Sequence, residues 1–258
     1  WWKLAGPNEF WLGGFVWTGL DYRGEPTPFQ WPNINSHFGI MDVCGFPKNI
    51  YYYYQSWWTN KDVLHISPHW NHAGNEGKPI DVWVNSNADN VELFLNKKSL
   101  GKKDMPRNGH LQWNVNYEPG TLEAIAFKKG KIITTTVETT GKAVELVVSP
   151  YKTTMLADGK DVTVINISAI DAAGREVPDV NKPVKFTVTG DAKIIGVGNG
   201  DPSSHEKDSY NDTVAYRQLF NGKCQVIVQS GKSVSSIHFE ASADSMWTAG
   251  TDIMTIQP

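Results

Sequence analysis

From Asp62 to the C-terminus, apolar and polar positions alternate in short runs, the period of strands with one buried face. The runs "VLHISP", "PIDVWVNS", "VELFLN", "LQWNVNY", "TLEAIAFKKG" and "KIITTTVET" are separated by Gly, Asn and Pro turns and predict one β-sandwich. A second series, "VELVVSP", "DVTVINISAID", "VKFTVTG", "KIIGVGNG", "TVAYRQLF", "CQVIVQS" and "SIHFEAS", predicts an immunoglobulin-like sandwich, with the boundary near Gly141. The first 58 residues are patterned differently. "GGFVWTG" (13–19) predicts one compact buried strand, and "KNIYYYYQSWW" after Pro47 a helix rich in aromatics. One strand among helices cannot close a sheet, so this part reads as the tail of a larger α/β domain that begins before the chain does. The expected order is therefore a terminal α/β segment (1–58), a β-sandwich (59–141) and an immunoglobulin- or invasin-like β-sandwich (142–258), a mainly β chain.

Composition sharpens the boundary, because eight of the eleven Trp fall within the first 70 residues. With 24 basic against 27 acidic residues and a net charge of −3, there is no electrostatic case for nucleic acid or an anionic membrane surface. Neutral or polar ligands suit this balance better. No apolar run reaches the roughly 20 residues of a membrane-spanning helix, and "WWKLAGPNEF" lacks the basic start and apolar middle of a signal peptide. Cys44 and Cys224 are too few for a disulfide framework and read as two buried thiols. The sequons at Asn166 and Asn211 matter only in a eukaryotic secretory setting.

Three groups of residues invite a chemical reading. His65, His69 and His72 in "HISPHWNH" imitate a metal-ligand spacing, but on a strand positions i and i+4 lie roughly 13 Å apart, and Pro68 argues against a helix. They read as structural. "GVGNGDPSSHE" gathers Asp201, His205 and Glu206 behind glycines without the ligand periodicity of a calcium loop or the helix of a phosphate site, and also reads as structural, with calcium the minor alternative. Glycoside hydrolysis needs two carboxylates across the scissile bond. Asn8-Glu9 looks like the Asn-Glu pair of barrel glycosidases, yet it precedes the strand, whereas barrel active sites lie beyond the strands' C-terminal ends. Asp21 and Glu25 do lie beyond that end; with Arg23 between them they read equally as a surface ion pair or a loop cap. No catalytic residue is assigned.

The stretches "GGFVWTGLDYRGEPTPF", "HFGIMDVCGFPKNIYYYYQSWW" and "LHISPHWNHAGNEGKPIDVWVNSNADNVELFLNKKSLG" resemble the family 2 glycoside hydrolases, in particular β-galactosidase-like members of gut Bacteroidetes. The resemblance covers the whole chain. It implies that residues 1–58 are the last strand and helix of a catalytic (β/α)8 barrel, and that both catalytic glutamates lie on earlier strands, outside this chain. It implies a retaining exo-glycosidase as the parent, with this chain alone inactive. Trp17 matches the tryptophan that ends the final barrel strand and walls the sugar subsite, a use that suits a flat indole against the C–H face of a pyranose. Asp21, Tyr22 and His37 are the polar groups expected to orient the sugar from the following loop. Trp31, Trp57 and Trp58 are left to packing, and burial is expected for Trp83 and Trp113.

One departure bears on the substrate. Where the family's β-glucuronidases resemble one another in an Asn-x-Lys before Gly-Ile, this chain has Ser36, His37 and Phe38, so no cation is offered to a sugar carboxylate and a β-galactoside is favoured over a uronic acid. Mannosides and glucosides stay open. The expected partners are that glycan, the remainder of the barrel and, as one way to cover exposed aromatics in 1–58, another copy of the chain. No cofactor, metal, nucleic acid or membrane is implied, and the resemblance suggests a bacterial periplasm or cell surface. The reading of another class is a non-catalytic carbohydrate-binding or spacer module, for which exposed aromatics on a sandwich face would speak.

Overall fold

The computed structural model describes residues 2–258, a mainly β chain that divides into two compact units. The first unit comprises residues up to Asp21 and Phe38–Thr139. It contains helices α1 (Trp2–Ala5) and α2 (Asn49–Trp58) and strands β1 (Leu64–Ser67), β2 (Pro79–Ser86), β3 (Asn90–Leu95), β4 (Lys98–Asp104), β5 (Leu111–Asn116), β6 (Thr121–Lys128) and β7 (Lys131–Glu138). An antiparallel sheet β1-β2-β5 and another, β4-β3-β6-β7, enclose a core that includes Val82, Val84, Leu93, Leu122 and Trp70. Every second residue of β3 and of β5 is buried, as the alternation predicts.

The second unit comprises Tyr22–His37 and Thr140–Pro258. Its strands are β8 (Ala143–Pro150), β9 (Thr154–Leu156), β10 (Val162–Asp171), β11 (Pro183–Thr189), β12 (Ala192–Gly198), β13 (Ser209–Asp212), β14 (Val214–Gln218), β15 (Lys223–Ser230), β16 (Ser236–Ser242) and β17 (Ala249–Ile256). The sheets β13-β12-β15-β10-β8 and β14-β11-β16-β17-β9 hold between them a core in which Phe186 and Phe239 stack at 6.0 Å. The pairings are antiparallel except β9 with β17. Asp171 ends β10 by accepting hydrogen bonds from the backbone of Gly141, Ala173 and Arg175 and from the Arg175 guanidinium, which holds its carboxyl far below the usual carboxylate range.

Two expectations need correction. Residues 13–19 form no strand: a strand exists where a neighbouring backbone completes its hydrogen bonds, and here the backbone of Ile40 and Met41 reaches only the carbonyls of Thr18 and Gly19, at the segment's end. Nor is the segment buried, since Phe15 is fully exposed and Trp17 largely so. Cys44, expected to be buried, is only half-buried in the turn that Asp42 caps; Cys224 lies in the second core as expected.

Helix α2 forms as predicted, with no Gly or Pro in its ten residues. Tyr53 and Trp57, one turn apart, donate their hydroxyl and indole N–H to the carbonyls of Asn108 (2.8 Å) and Gly109 (2.9 Å). Tyr52 stacks on His65 of β1 at 3.7 Å, and His65 Nε2 lies 3.2 Å from Asn49 Oδ1. Burial pushes the His65 imidazole down to about 4, well below the 6.5 of a free side chain. Between these values the unfolded chain binds a proton that the folded one refuses, so stability falls as pH drops from 6.5 toward 4 and the loss levels off below 4. Thermal melts at pH 7 and 4.5 should therefore separate more for the natural chain than for His65→Phe, which keeps the ring contact and cannot titrate; equal separations would show that the imidazole is not held neutral.

Candidate functional site

Within the first unit, α1, the segment 14–17, α2 and the β1-β2 face line a cavity of about 1080 Å³. Its walls are aromatic: Trp17 and Phe15 from the irregular segment, Tyr53 and Tyr54 from α2, Trp83 from β2. The sequence sets these positions locally. Period-2 geometry puts Asp81, Trp83 and Asn85 on one face of β2, and helical spacing brings Ile50, Tyr53 and Tyr54 to one side of α2. Asn108 closes the corner, accepting from Tyr53 and donating its side-chain amide to the Trp2 carbonyl at 3.2 Å.

The polar groups of the cavity converge on Trp83. Its indole stacks on His110 at 4.2 Å with the planes 7° apart, and its N–H donates to Asp81 Oδ2 at 2.7 Å. The other Asp81 oxygen accepts from Gln112 at 2.7 Å. Burial lowers the His110 imidazole below its ordinary value, assisted by the positive charge of Lys3 and opposed by Asp81. Asp81 is the one carboxylate among the described lining residues, and both its oxygens are engaged. The cavity thus presents flat apolar faces with a few fixed polar groups, the arrangement that binds a small polar ring, without the paired carboxylates of hydrolysis.

Of the residues singled out from sequence, Trp17 lines this cavity and is 74% exposed. Asp21 belongs to the same unit but is buried: it accepts the Gly39 N–H at 2.7 Å and pairs with Lys48 Nζ at 2.5 Å. Arg23 does not join Asp21 and Glu25. It pairs with Asp208, while Glu25 accepts from the Tyr22 hydroxyl. Tyr22 and His37 fold with the second unit, where the His37 ring lies 4.0 Å from Phe29. His69 and His72 stack on each other at 5.0 Å and His72 packs edge-on against Trp70, a structural arrangement.

Sequence reasoning missed Trp83. Its place on an alternating strand suggested burial, as holds for Trp113, but Trp83 is 40% exposed and faces the cavity. The signal was in the register, because Trp83 falls out of phase with Val82 and Val84, both fully buried.

The fold defines two β-sandwich domains, one of them carrying an aromatic helix, and comparison with known proteins narrows the class. Residues 146–251 match the glycoside hydrolase family 2 C-terminal domain 5, and residues 77–134 match a domain of unknown function. A β-galactosidase of Bacteroides ovatus is 46% identical over 232 residues, which are 88% of this chain and 26% of that protein. A putative β-glucuronidase of Formosa agariphila is 36% identical over 89% of this chain and 22% of its own length. The crystal structure of a β-glycosidase from Bacteroides vulgatus superposes with a TM-score of 0.90 at 33% identity, covering 98% of this chain and 32% of that one. The chain spans about a quarter of the length of the curated relatives it matches. It belongs to the C-terminal domains of glycoside hydrolase family 2.

Proposed function

We propose that the chain is the C-terminal part of a retaining family 2 exo-glycosidase that removes terminal β-galactosides, with residues 1–58, α2 among them, as the end of its catalytic barrel. The observation that carries this reading is the 46% identity to a β-galactosidase over most of the chain. In this reading Trp17 walls the sugar subsite, Asp21, Tyr22 and His37 are the polar groups that orient the sugar from the following loop, and the two catalytic carboxylates come from elsewhere in the parent. The exposed Phe10, Trp11, Leu12 and Phe15 are then the groups that the rest of the barrel covers, since an apolar patch of this kind is rarely left in water. The choice of a neutral sugar rests on Ser36, His37 and Phe38, which place no cation for a sugar carboxylate. Export to the periplasm or cell surface belongs to the same proposal.

The full-length protein should hydrolyse p-nitrophenyl β-galactoside much faster than the corresponding glucuronide, while the 258-residue chain should hydrolyse neither above the buffer rate. Exclusive cleavage of the glucuronide would overturn the substrate, and turnover by the isolated chain would overturn the assignment of the carboxylates.

A second reading, glycan binding by the sandwiches, is favoured by Tyr151 and Trp247, two well exposed aromatics of the second unit. A change in tryptophan fluorescence on titration with galactan would support it.

A further inference from the structure

Residues 22–37 follow Trp17 closely in sequence yet fold with the second sandwich. A connection of this length without strands of its own is usually either disordered or functional. This one is fixed. Ser36 N donates to the Tyr22 carbonyl at 2.8 Å, Tyr22 N donates to Ser36 Oγ at 3.1 Å, and Gly24 N donates to the Ile34 carbonyl at 2.7 Å, closing the segment on itself.

Its far end is held by the loop between β12 and β13. The Pro202 carbonyl accepts from the backbone N–H of both Ile34 (2.9 Å) and Asn35 (3.2 Å). His205 Nε2 donates to the Pro32 carbonyl at 2.9 Å, and its ring lies 4.3 Å from the Trp31 indole. Arg23 pairs with Asp208. The exposed ion pair adds little by itself; the backbone bonds and the ring contact fix the geometry.

The holding loop is anchored in turn by a buried cation. Arg217 of β14, only 4% exposed, donates to Asn199 Oδ1 at 2.9 Å and to the Glu206 carbonyl at 3.3 Å, and its Nε lies 3.6 Å from the Glu206 carboxylate. Asn199 closes the ring through the Gln218 carbonyl at 2.7 Å. Burying a guanidinium is unfavourable unless its charge is met, and here the partners come from both ends of the 199–206 loop: the two terminal nitrogens are hydrogen-bonded, while Nε has only the ion-pair contact with Glu206. In the stretch read as a structural loop, Glu206 meets a protein cation and His205 a neighbouring segment.

We propose that the second sandwich positions the 22–37 segment, with His205 and Asp208 holding it and Arg217 stiffening the loop that carries them, so that Tyr22 and His37 are presented to substrate in one arrangement; the substrate part rests on the glycosidase reading above. Prepositioning of this kind acts on substrate binding, because a mobile segment must be ordered each time a ligand arrives.

The test combines His205→Ala with Asp208→Ala, both at exposed side chains, and sets Arg217→Met beside them. In the 258-residue chain, tryptic cleavage after Arg23 should accelerate about tenfold in either variant as the segment opens locally. In the full-length protein KM for a β-galactoside should rise about 3- to 10-fold with kcat within about twofold, and His205→Phe, which keeps the ring against Trp31, should recover part of the loss. Unchanged cleavage would show that the sandwich does not hold the segment. Faster cleavage with unchanged KM would show that the held segment does not serve the substrate; either result overturns the proposal. A natural full-length protein inactive on every glycoside overturns the glycosidase reading itself and with it the substrate role, while the cleavage rates still decide the holding.

Discussion

Trp70→Ala is expected to cost the first unit about 3–5 kcal/mol, roughly a third to a half of the stability of an ordinary domain of about 10 kcal/mol. Trp70 is completely buried, packs edge-on against Tyr117 at 5.1 Å and against His72 at 5.8 Å, and donates its indole N–H to the Glu118 carbonyl at 3.0 Å. Its own carbonyl accepts from the Thr139 hydroxyl at 2.7 Å. Alanine would leave a cavity the size of an indole between two sheets and take the N–H donor from the Glu118 carbonyl, and neither loss can be relaxed by a flexible neighbour. Trp70→Phe should cost about 1–2 kcal/mol, since it keeps most of the packing and loses the one polar contact. Hydrogen exchange is the suitable measurement. Protection should collapse at Val82, Leu93 and Leu122 and persist at Ile165 and Phe239 of the other core. A cost below about 1 kcal/mol for the alanine variant would mean that this cluster is not the centre of its unit.

Trp17→Ala should behave in the opposite way. With its side chain largely in solvent, the substitution should leave the stability of the chain within about 0.5 kcal/mol. In the full-length protein it should lower kcat/KM for a β-galactoside about 10- to 100-fold, because the indole face that excludes water from the apolar side of the pyranose is gone. Trp17→Phe keeps a smaller flat face and should fall between. Steady-state kinetics alongside thermal melts separates the two effects. A loss of stability without a loss of activity would make Trp17 a packing residue and remove the proposed sugar wall.

The β-domains were largely legible along the chain because alternation is a local property. In β5 and β15 every inward position is apolar or small and every outward one polar or half-exposed, so the residues announce both the strand and its buried face. Strands with little to bury escaped. In β4, "KSLGKKD", almost every residue is exposed, and the strand exists because Asn96 and Lys97, with φ of 51° and 68°, turn the chain back onto β3. β13, "SYND", and the three-residue β9 are edge strands, and β17 turns Thr251, Ile253 and Thr255 inward, a row too polar to read as a core face. The reverse holds at 13–19, where apolar character predicts a strand but a neighbouring backbone bonds only to Thr18 and Gly19.

The candidate site divides along the same line. Trp17 could be singled out from its motif, and Asp21, Tyr22 and His37 from their places after it, but the environment of each depends on residues far away in sequence. Lys48 engages Asp21, while the loop around Pro202 and His205 holds the segment that carries Tyr22 and His37. By itself the sequence determined which segments become strands or helix and which faces of them are apolar, because those follow from the side chains of neighbouring residues. Only the tertiary structure decided that Trp83 faces a cavity, that Arg217 is buried beneath a loop of acidic and amide groups, and that residues 22–37 join the second sandwich. Those outcomes are set by which backbones meet and which charges find partners across long stretches of chain, and no local pattern encodes them.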